Sequence, residues 1–139
     1  MFTDDDIARI GEGVLARTLP KAEWTHAAHF ACALWLLSRP HLDAFREMPG
    51  LIRAYNEATG GENTDTTGYH ETITQASLRA ARAHLEARSG ASLAAVLAEL
   101  LDGPCGRSDW LLAYWSGEAL FSVAARRAWR DPDLQPLPF

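Results

Sequence analysis

Apolar residues along this chain recur at the three- and four-residue spacing of helices, and no segment shows the period-two alternation of a half-buried strand. The first such series is Ile7, Ile10 and Val14. It follows Thr3, a good N-cap residue, and an acidic first turn that suits the helix dipole. The pattern therefore predicts a first helix that ends before the breaker segment at 18–20.

A second helix is expected at the centre of the fold. Thr25 is its predicted cap, and the residues from His26 to about Ser38 are apolar on almost every side of the helix. A helix of this kind is buried all round rather than along one stripe. Pro40 ends it.

The remaining segments predict further helices around one polar loop, and together they indicate an all-α fold. We expect an irregular helical bundle of five to seven helices, in a single compact domain over residues 1–139. The expected elements are a short helix at about 42–47, a helix that begins with Pro49 and ends at Gly60, a polar loop at 62–68, a long helix at about 69–88, a helix after the cap Ser92, one or two short helices between 109 and 129 with Ser122 as a cap, and a proline-rich extended tail at 131–139.

Composition and charge are those of a globular protein and argue against two classes of partner. The chain has 139 residues, of which 47% are hydrophobic and 22% charged. Its 13 basic and 18 acidic side chains give a formal net charge of −5, whereas a nucleic-acid binder usually presents a basic surface. No apolar run approaches the roughly 18 residues that span a bilayer. We therefore expect no nucleic-acid partner and no membrane partner.

The cysteines and the N-terminus predict a cytoplasmic protein. The acidic N-terminus lacks the basic region of a signal peptide. Cys32 and Cys105 lie far apart, form no Cys-x-x-Cys pair and fit reduced thiols. Apolar faces on the short C-terminal helices can support a homodimer.

The candidate chemistry begins at residues 24–29, which read Trp-Thr-His-Ala-Ala-His. His26 and His29 are three residues apart, so they project from the same face of the predicted helix. The pair fits two metal ligands or an acid/base pair at a pocket wall. It equally fits two partly buried histidines that bind backbone groups, and a His-x-x-His spacing alone does not decide between these.

A second polar cluster, at residues 69–74, reads Tyr-His-Glu-Thr-Ile-Thr and opens the long predicted helix. Helix bundles build their sites from side chains on facing helices. His26, His29 and His70 are a sensible ligand set for zinc or another first-row divalent metal. Glu71 is then a general base, an orienting group or a further ligand. This hypothesis is a metal-dependent enzyme that acts on a small molecule, with His26, His70 and Glu71 as its catalytic residues.

Two hypotheses without a metal remain open. Helix N-termini present free N–H groups and favour anions, so the two helix starts can bind a small anionic ligand. Its hydroxyl donors are Thr25, Tyr69, Thr72 and Thr74. Alternatively, the histidines are satisfied core residues of a structural or interaction protein, and the threonines only cap the backbone.

These motifs resemble those of a family of small bacterial proteins of uncharacterised function. Its members read Phe/Trp-Thr-His-x-x-His near the start, Tyr-His-Glu-Thr-x-Thr in the middle and Pro-Asp-Leu-x-Pro-Leu-Pro at the end, which this chain carries at 132–138. The resemblance implies that the two clusters form one unit, and it implies no activity. The motif positions it carries over are Thr25, His26, His29, Tyr69, His70, Glu71, Thr72 and Thr74.

Overall fold

Seven α-helices and three short 3-10 helices make up the protein, and a computed structural model describes all of residues 1–139. The all-α class and the number of helices are as predicted. No helix combines the length and hydrophobicity needed to cross a bilayer. The α-helices are α1 (Asp4–Leu15), α2 (His26–Leu37), α3 (Ala44–Ala58), α4 (Glu71–Ala87), α5 (Leu93–Asp102), α6 (Gly117–Leu120) and α7 (Val123–Arg127), and the 3-10 helices are Lys21–Glu23, Pro104–Gly106 and Trp110–Ala113.

The helix α2 is the centre of the bundle, as its apolar sequence predicts. It packs against α1, α3, α4 and α5. Phe30, Leu34 and Leu36 are each at most 1% exposed. Helix α1 approaches α2 closely at Gly11, where an added Cβ would lie 2.3 Å from the Trp35 ring. The close approach explains why a helix-weakening glycine stands at this position.

The helix α3 runs through Pro49, so the predicted break between two shorter helices is wrong. A proline inside a helix leaves the carbonyl four residues earlier without its N–H donor. That carbonyl belongs to Phe45, and the Gln75 side chain of α4 donates to it through Nε2 at 3.0 Å. A tertiary hydrogen bond thus replaces the missing helical one.

The helix α4 begins at Glu71, two residues later than predicted. His70 is its N-cap, and its side chain accepts a hydrogen bond from the backbone N–H of Ile73 at 3.2 Å. The polar loop before it reaches this point through Gly68, whose φ is +80°. A Cβ on Gly68 would lie 2.2 Å from the Glu62 carbonyl oxygen, so both the dihedral and the space require glycine.

The C-terminal third packs onto α4 and is held there by polar contacts. The buried Thr72 hydroxyl shares its single proton between the carbonyl oxygens of Ala125 and Ala128, at 2.7 and 3.0 Å, and accepts from the Arg130 N–H at 3.1 Å. The tail after residue 130 contains no helix. The Asp133 carboxylate ties it back to the bundle by accepting from the Ser116 N–H and hydroxyl.

Candidate ligand-binding site

A cavity with a volume of about 260 Å³ lies beside α2. We call it the histidine cavity, since His26 and His29 form part of its wall. Apolar side chains make up most of the remainder, and two of the rim residues, Leu112 and Phe121, are exposed at 39% and 63%. The lining residues used below are His26, His29, Phe30, Ile52, Ile73, Thr74, Asp109, Trp110, Leu112 and Phe121.

A smaller cavity of about 110 Å³ adjoins the first. We call it the tyrosine cavity, since Tyr69 lines it together with Trp24, Asn56 and His70. Four residues line both spaces: His29, Ile52, Ile73 and Thr74. The two sequence clusters therefore meet at the tyrosine cavity, with His29 at the boundary between the two spaces.

The His29 imidazole is held from two sides and keeps one nitrogen free. Its Nδ1 lies 2.7 Å from the Thr25 carbonyl oxygen, and because a carbonyl only accepts, Nδ1 must carry the proton. The Trp24 ring stacks on it with 3.8 Å between ring centroids. Nε2 has no partner in the protein. Solvent reaches it, because the only fully buried side-chain polar atom without a partner is Trp35 Nε1.

Burial sets the charge of His29. It lowers the pKa of the imidazole below the ordinary 6.5, against the opposing effect of the Thr25 carbonyl, and His26 lowers that pKa further. The ring is therefore neutral near pH 7, and Nε2 is a hydrogen-bond acceptor.

The His26 imidazole, which lies one helical turn before His29, is also anchored. Its Nε2–H donates to the Cys105 carbonyl oxygen at 2.8 Å, and the ring meets Phe30 edge-on at 5.3 Å. The bond to Cys105 fixes the tautomer, so Nδ1 keeps the lone pair and has no partner in the protein. His26 thus joins α2 to the 3-10 helix Pro104–Gly106, which precedes the cavity-lining residues 108–112.

The His70 imidazole has no free nitrogen. Its Nε2–H donates to the Leu120 carbonyl oxygen at 2.7 Å, while Nδ1 accepts from the Ile73 N–H. The residue is 7% exposed, and burial lowers its pKa. Both positions through which an imidazole binds a metal or moves a proton are occupied by backbone groups.

The predicted shared ligand set of His26, His29 and His70 is not assembled. No group of three or more His, Cys, Asp or Glu side chains is placed to hold a metal ion. The physical reason is the capping role of His70, which uses the Nδ1 lone pair for the first turn of α4. The two remaining imidazoles fall short of the three protein ligands of a catalytic zinc site.

Glu71 binds Tyr69 instead of facing a cavity. The Tyr69 hydroxyl donates to the Glu71 carboxylate, and Glu71 lines neither cavity. Burial and the adjacent carboxylate raise the pKa of Tyr69, so its hydroxyl keeps its proton. The geometry does not favour the predicted catalytic roles of His70 and Glu71.

The four hydroxyls predicted to bind a ligand have different positions. Thr25 caps α2 by accepting from the Ala28 N–H at 3.2 Å, and Thr72 is fully buried among its three backbone partners. Tyr69 lines the tyrosine cavity, and Thr74 lines both cavities. Two of the four are therefore structural, and two face the space where a ligand can bind.

No sequence pattern indicated the far wall of the histidine cavity. Asp109 precedes the 3-10 helix that holds Trp110 and Leu112, and Phe121 follows a four-residue helix. Short helices were predicted here, but elements of four residues are too short for their periodicity to show which face lines a cavity. Trp110 is both buried and part of the cavity wall.

Comparisons with protein-family models, with curated proteins and with solved structures found no match to this chain.

Proposed function

We propose that the protein binds a small, mostly apolar and uncharged molecule in the histidine cavity, and that the ligand donates a hydrogen bond to His29. The observation that carries this proposal is the free Nε2 of His29. The neutral imidazole is held by the Thr25 carbonyl and the Trp24 ring, and it lines a mostly apolar cavity. Binding pockets commonly combine an apolar lining with a few placed polar groups. A volume of about 260 Å³ is near the lower end of the usual range of roughly 300–1,000 Å³, which favours a small ligand.

The charges around the cavity favour an uncharged ligand over an anion. No lysine or arginine lines either cavity, and Asp109 at the rim is acidic. A neutral imidazole offers its Nε2 lone pair, which repels a carboxylate or phosphate oxygen. The anionic hypothesis therefore loses support at this site, although the two helix starts do lie close together.

General-base catalysis at His29 is a second candidate function. Stacking on Trp24 and the bond to the Thr25 carbonyl fix the ring in the way an active-site base is fixed. The test is whether a molecule that binds is converted: its recovery unchanged after long incubation, by mass spectrometry, speaks for binding alone.

A matched series of probes tests the binding proposal. Benzyl alcohol, toluene and benzoate share a benzene ring but differ in its substituent. Benzyl alcohol carries a hydrogen-bond donor, toluene has no polar group, and benzoate carries a negative charge. At pH 7.5 we expect benzyl alcohol to bind roughly two- to tenfold more tightly than toluene, the value of one hydrogen bond, and benzoate to bind weakest. Titrations followed by NMR give the three affinities.

Two histidine variants locate the effect. His29→Phe keeps a ring on Trp24 and removes the acceptor, so toluene should still bind while the advantage of benzyl alcohol disappears. His84→Phe is the matched control, because the His84 Nδ1 also binds the carbonyl four residues earlier, at 2.8 Å, but its ring lines neither cavity. Equal affinities for benzyl alcohol and toluene in the wild type would overturn the proposal.

We also propose that the resemblance to the small bacterial family reflects a shared binding site in a cytoplasmic protein. The support is that residues of both motifs line one cavity, and that Cys32 and Cys105 are free thiols. A second protein with both motifs should show the same preference for benzyl alcohol over toluene.

A further inference from the structure

A third concave site lies on the other side of Tyr69, away from the histidine cavity. It has a volume of about 160 Å³, and we call it the arginine pocket because Arg53, Arg126 and Arg127 line it. Tyr69 and the polar-loop residues Asn63, Thr64 and Asp65 complete its wall. Three guanidinium groups around one small space are unexpected in a chain whose formal net charge is −5.

Only one of the three arginines is neutralised. The Arg127 guanidinium forms a two-bond ion pair with Asp65, with N–O distances of 2.8 and 2.6 Å. Neither Arg53 nor Arg126 has a carboxylate within ion-pair distance. Glu71, which binds the Tyr69 hydroxyl, pairs with neither of them. The lining residues therefore carry two uncompensated positive charges.

The free guanidinium donors are held in place. Arg126 uses its Nη1 to bind the Gly68 and Tyr69 carbonyl oxygens at 3.0 and 3.3 Å, which leaves Nε and Nη2 without partners. The Arg53 guanidinium lies over the Tyr69 ring, 4.4 Å from its centroid, and makes no hydrogen bond. Tyr69 thus has one arginine on its ring and another on its backbone, so both cations are held against the same residue.

We propose that the arginine pocket binds a dianionic phosphate group. Uncompensated like charges in a small concavity repel one another, and an oxyanion removes this cost while it accepts their free N–H donors. Arginine is suited to phosphate because its planar fork donates two parallel hydrogen bonds. The volume admits a single phosphate group. This site is separate from the histidine cavity, and the proposal does not depend on the function proposed there.

The direct test is calorimetric titration of the whole protein with inorganic phosphate, sulfate and acetate at low ionic strength. Phosphate should bind at millimolar concentrations or below, acetate more weakly because it carries a single charge, and added salt should weaken the binding. Phenyl phosphate then distinguishes the source: tighter binding than inorganic phosphate indicates a phosphorylated molecule, and weaker binding indicates the free anion. Absence of binding by both phosphates overturns the proposal.

Three single variants make the test specific to the pocket. Arg53→Gln removes a free cation and should weaken phosphate binding roughly three- to tenfold. Asp65→Asn removes the only carboxylate and should strengthen it roughly two- to fivefold. Arg82→Gln is the matched control, because the Arg82 guanidinium also lies over an aromatic ring, that of Phe45 at 4.6 Å, but outside the pocket.

The directions of these changes decide the outcome. An affinity of Arg53→Gln equal to the wild type, or a loss in Arg82→Gln as large as that in Arg53→Gln, contradicts the assignment. A loss of affinity in Asp65→Asn does so as well. Circular dichroism of each variant shows whether it is folded, and Arg53→Lys, which keeps the charge, should bind better than Arg53→Gln.

Discussion

His29 and His70 stand near the starts of α2 and α4, and burial lowers the pKa of both imidazoles. They differ in how many of their ring nitrogens bind the backbone. One carbonyl binds His29 and leaves Nε2 free, whereas a carbonyl and an N–H together occupy both nitrogens of His70. The same side chain is therefore a candidate for binding at one helix start and a structural element at the other.

The difference shows that residue type and motif do not assign a histidine to a function. A neutral imidazole has one donor and one acceptor, and chemistry needs at least one of them unused. The number of free nitrogens is the quantity to compare, and it follows from tertiary contacts. Four variants and a change of pH test this comparison.

The largest effect is expected from His70→Ala. The substitution removes the cap of α4 and leaves the Leu120 carbonyl oxygen without its donor. A lost cap costs about 1 kcal/mol and an unsatisfied buried group about 1–3 kcal/mol, so the free energy of unfolding should fall by about 3 kcal/mol. Urea denaturation measures it. A loss below about 1 kcal/mol would show that His70 is not structural.

The next largest loss of stability is expected at one of two threonines of α4. Thr72→Val removes the hydroxyl that binds the Ala125 carbonyl and the Arg130 N–H, and should cost about 2 kcal/mol. Thr74→Val changes a hydroxyl that lines the cavities, and should cost less than about 1 kcal/mol. Urea denaturation of both variants checks the order, and equal losses would erase the distinction between the two side chains.

Much of the fold could be predicted because its signals are local. Thr3, Thr25, Ser92 and Ser122 cap their helices as predicted, since each cap involves an N–H only three residues away. The continuation of α3 through Pro49 could not be predicted, because the side chain that replaces the missing donor, Gln75, is 26 residues further along the chain. Local rules give helix starts and stops unless a distant side chain intervenes.

The candidate site could be predicted only in part, for the same reason. The sequence brought the two motifs together as one hypothesis, and His29 and Tyr69 do line a common cavity. The state of each imidazole depends on remote carbonyls: those of Cys105 for His26 and of Leu120 for His70. No spacing rule connects residues 79 or 50 positions apart.

A smaller effect follows from pH. The folded protein holds His29 and His70 with pKa values below 6.5, so the unfolded chain takes up protons first as the pH falls. Stability is therefore full above pH 6.5 and declines below it, by at most about 1.4 kcal/mol per pH unit for each histidine. Urea denaturation at pH 7.5 and 5.5 measures this loss.

The ligand distinguishes the two histidines in this pH experiment. Saturating benzyl alcohol should keep His29 neutral and make stability decline more steeply as the pH falls. The reason is that protonation of His29 then also breaks its hydrogen bond to the bound ligand. His29→Phe should flatten the decline and make it insensitive to benzyl alcohol. A decline unchanged in His29→Phe would contradict the assignment of a lowered pKa to His29.

The smallest effect is expected from His29→Phe on stability at pH 7.5. Phenylalanine keeps a ring against Trp24. The Thr25 carbonyl loses its hydrogen bond to the imidazole but still accepts one from the backbone N–H of residue 29, at 3.0 Å. The free energy of unfolding should therefore change by less than about 0.5 kcal/mol. A loss approaching that of His70→Ala would make His29 a second structural histidine. A nearly unchanged stability together with altered binding of benzyl alcohol would show that the free nitrogen serves a ligand rather than the fold.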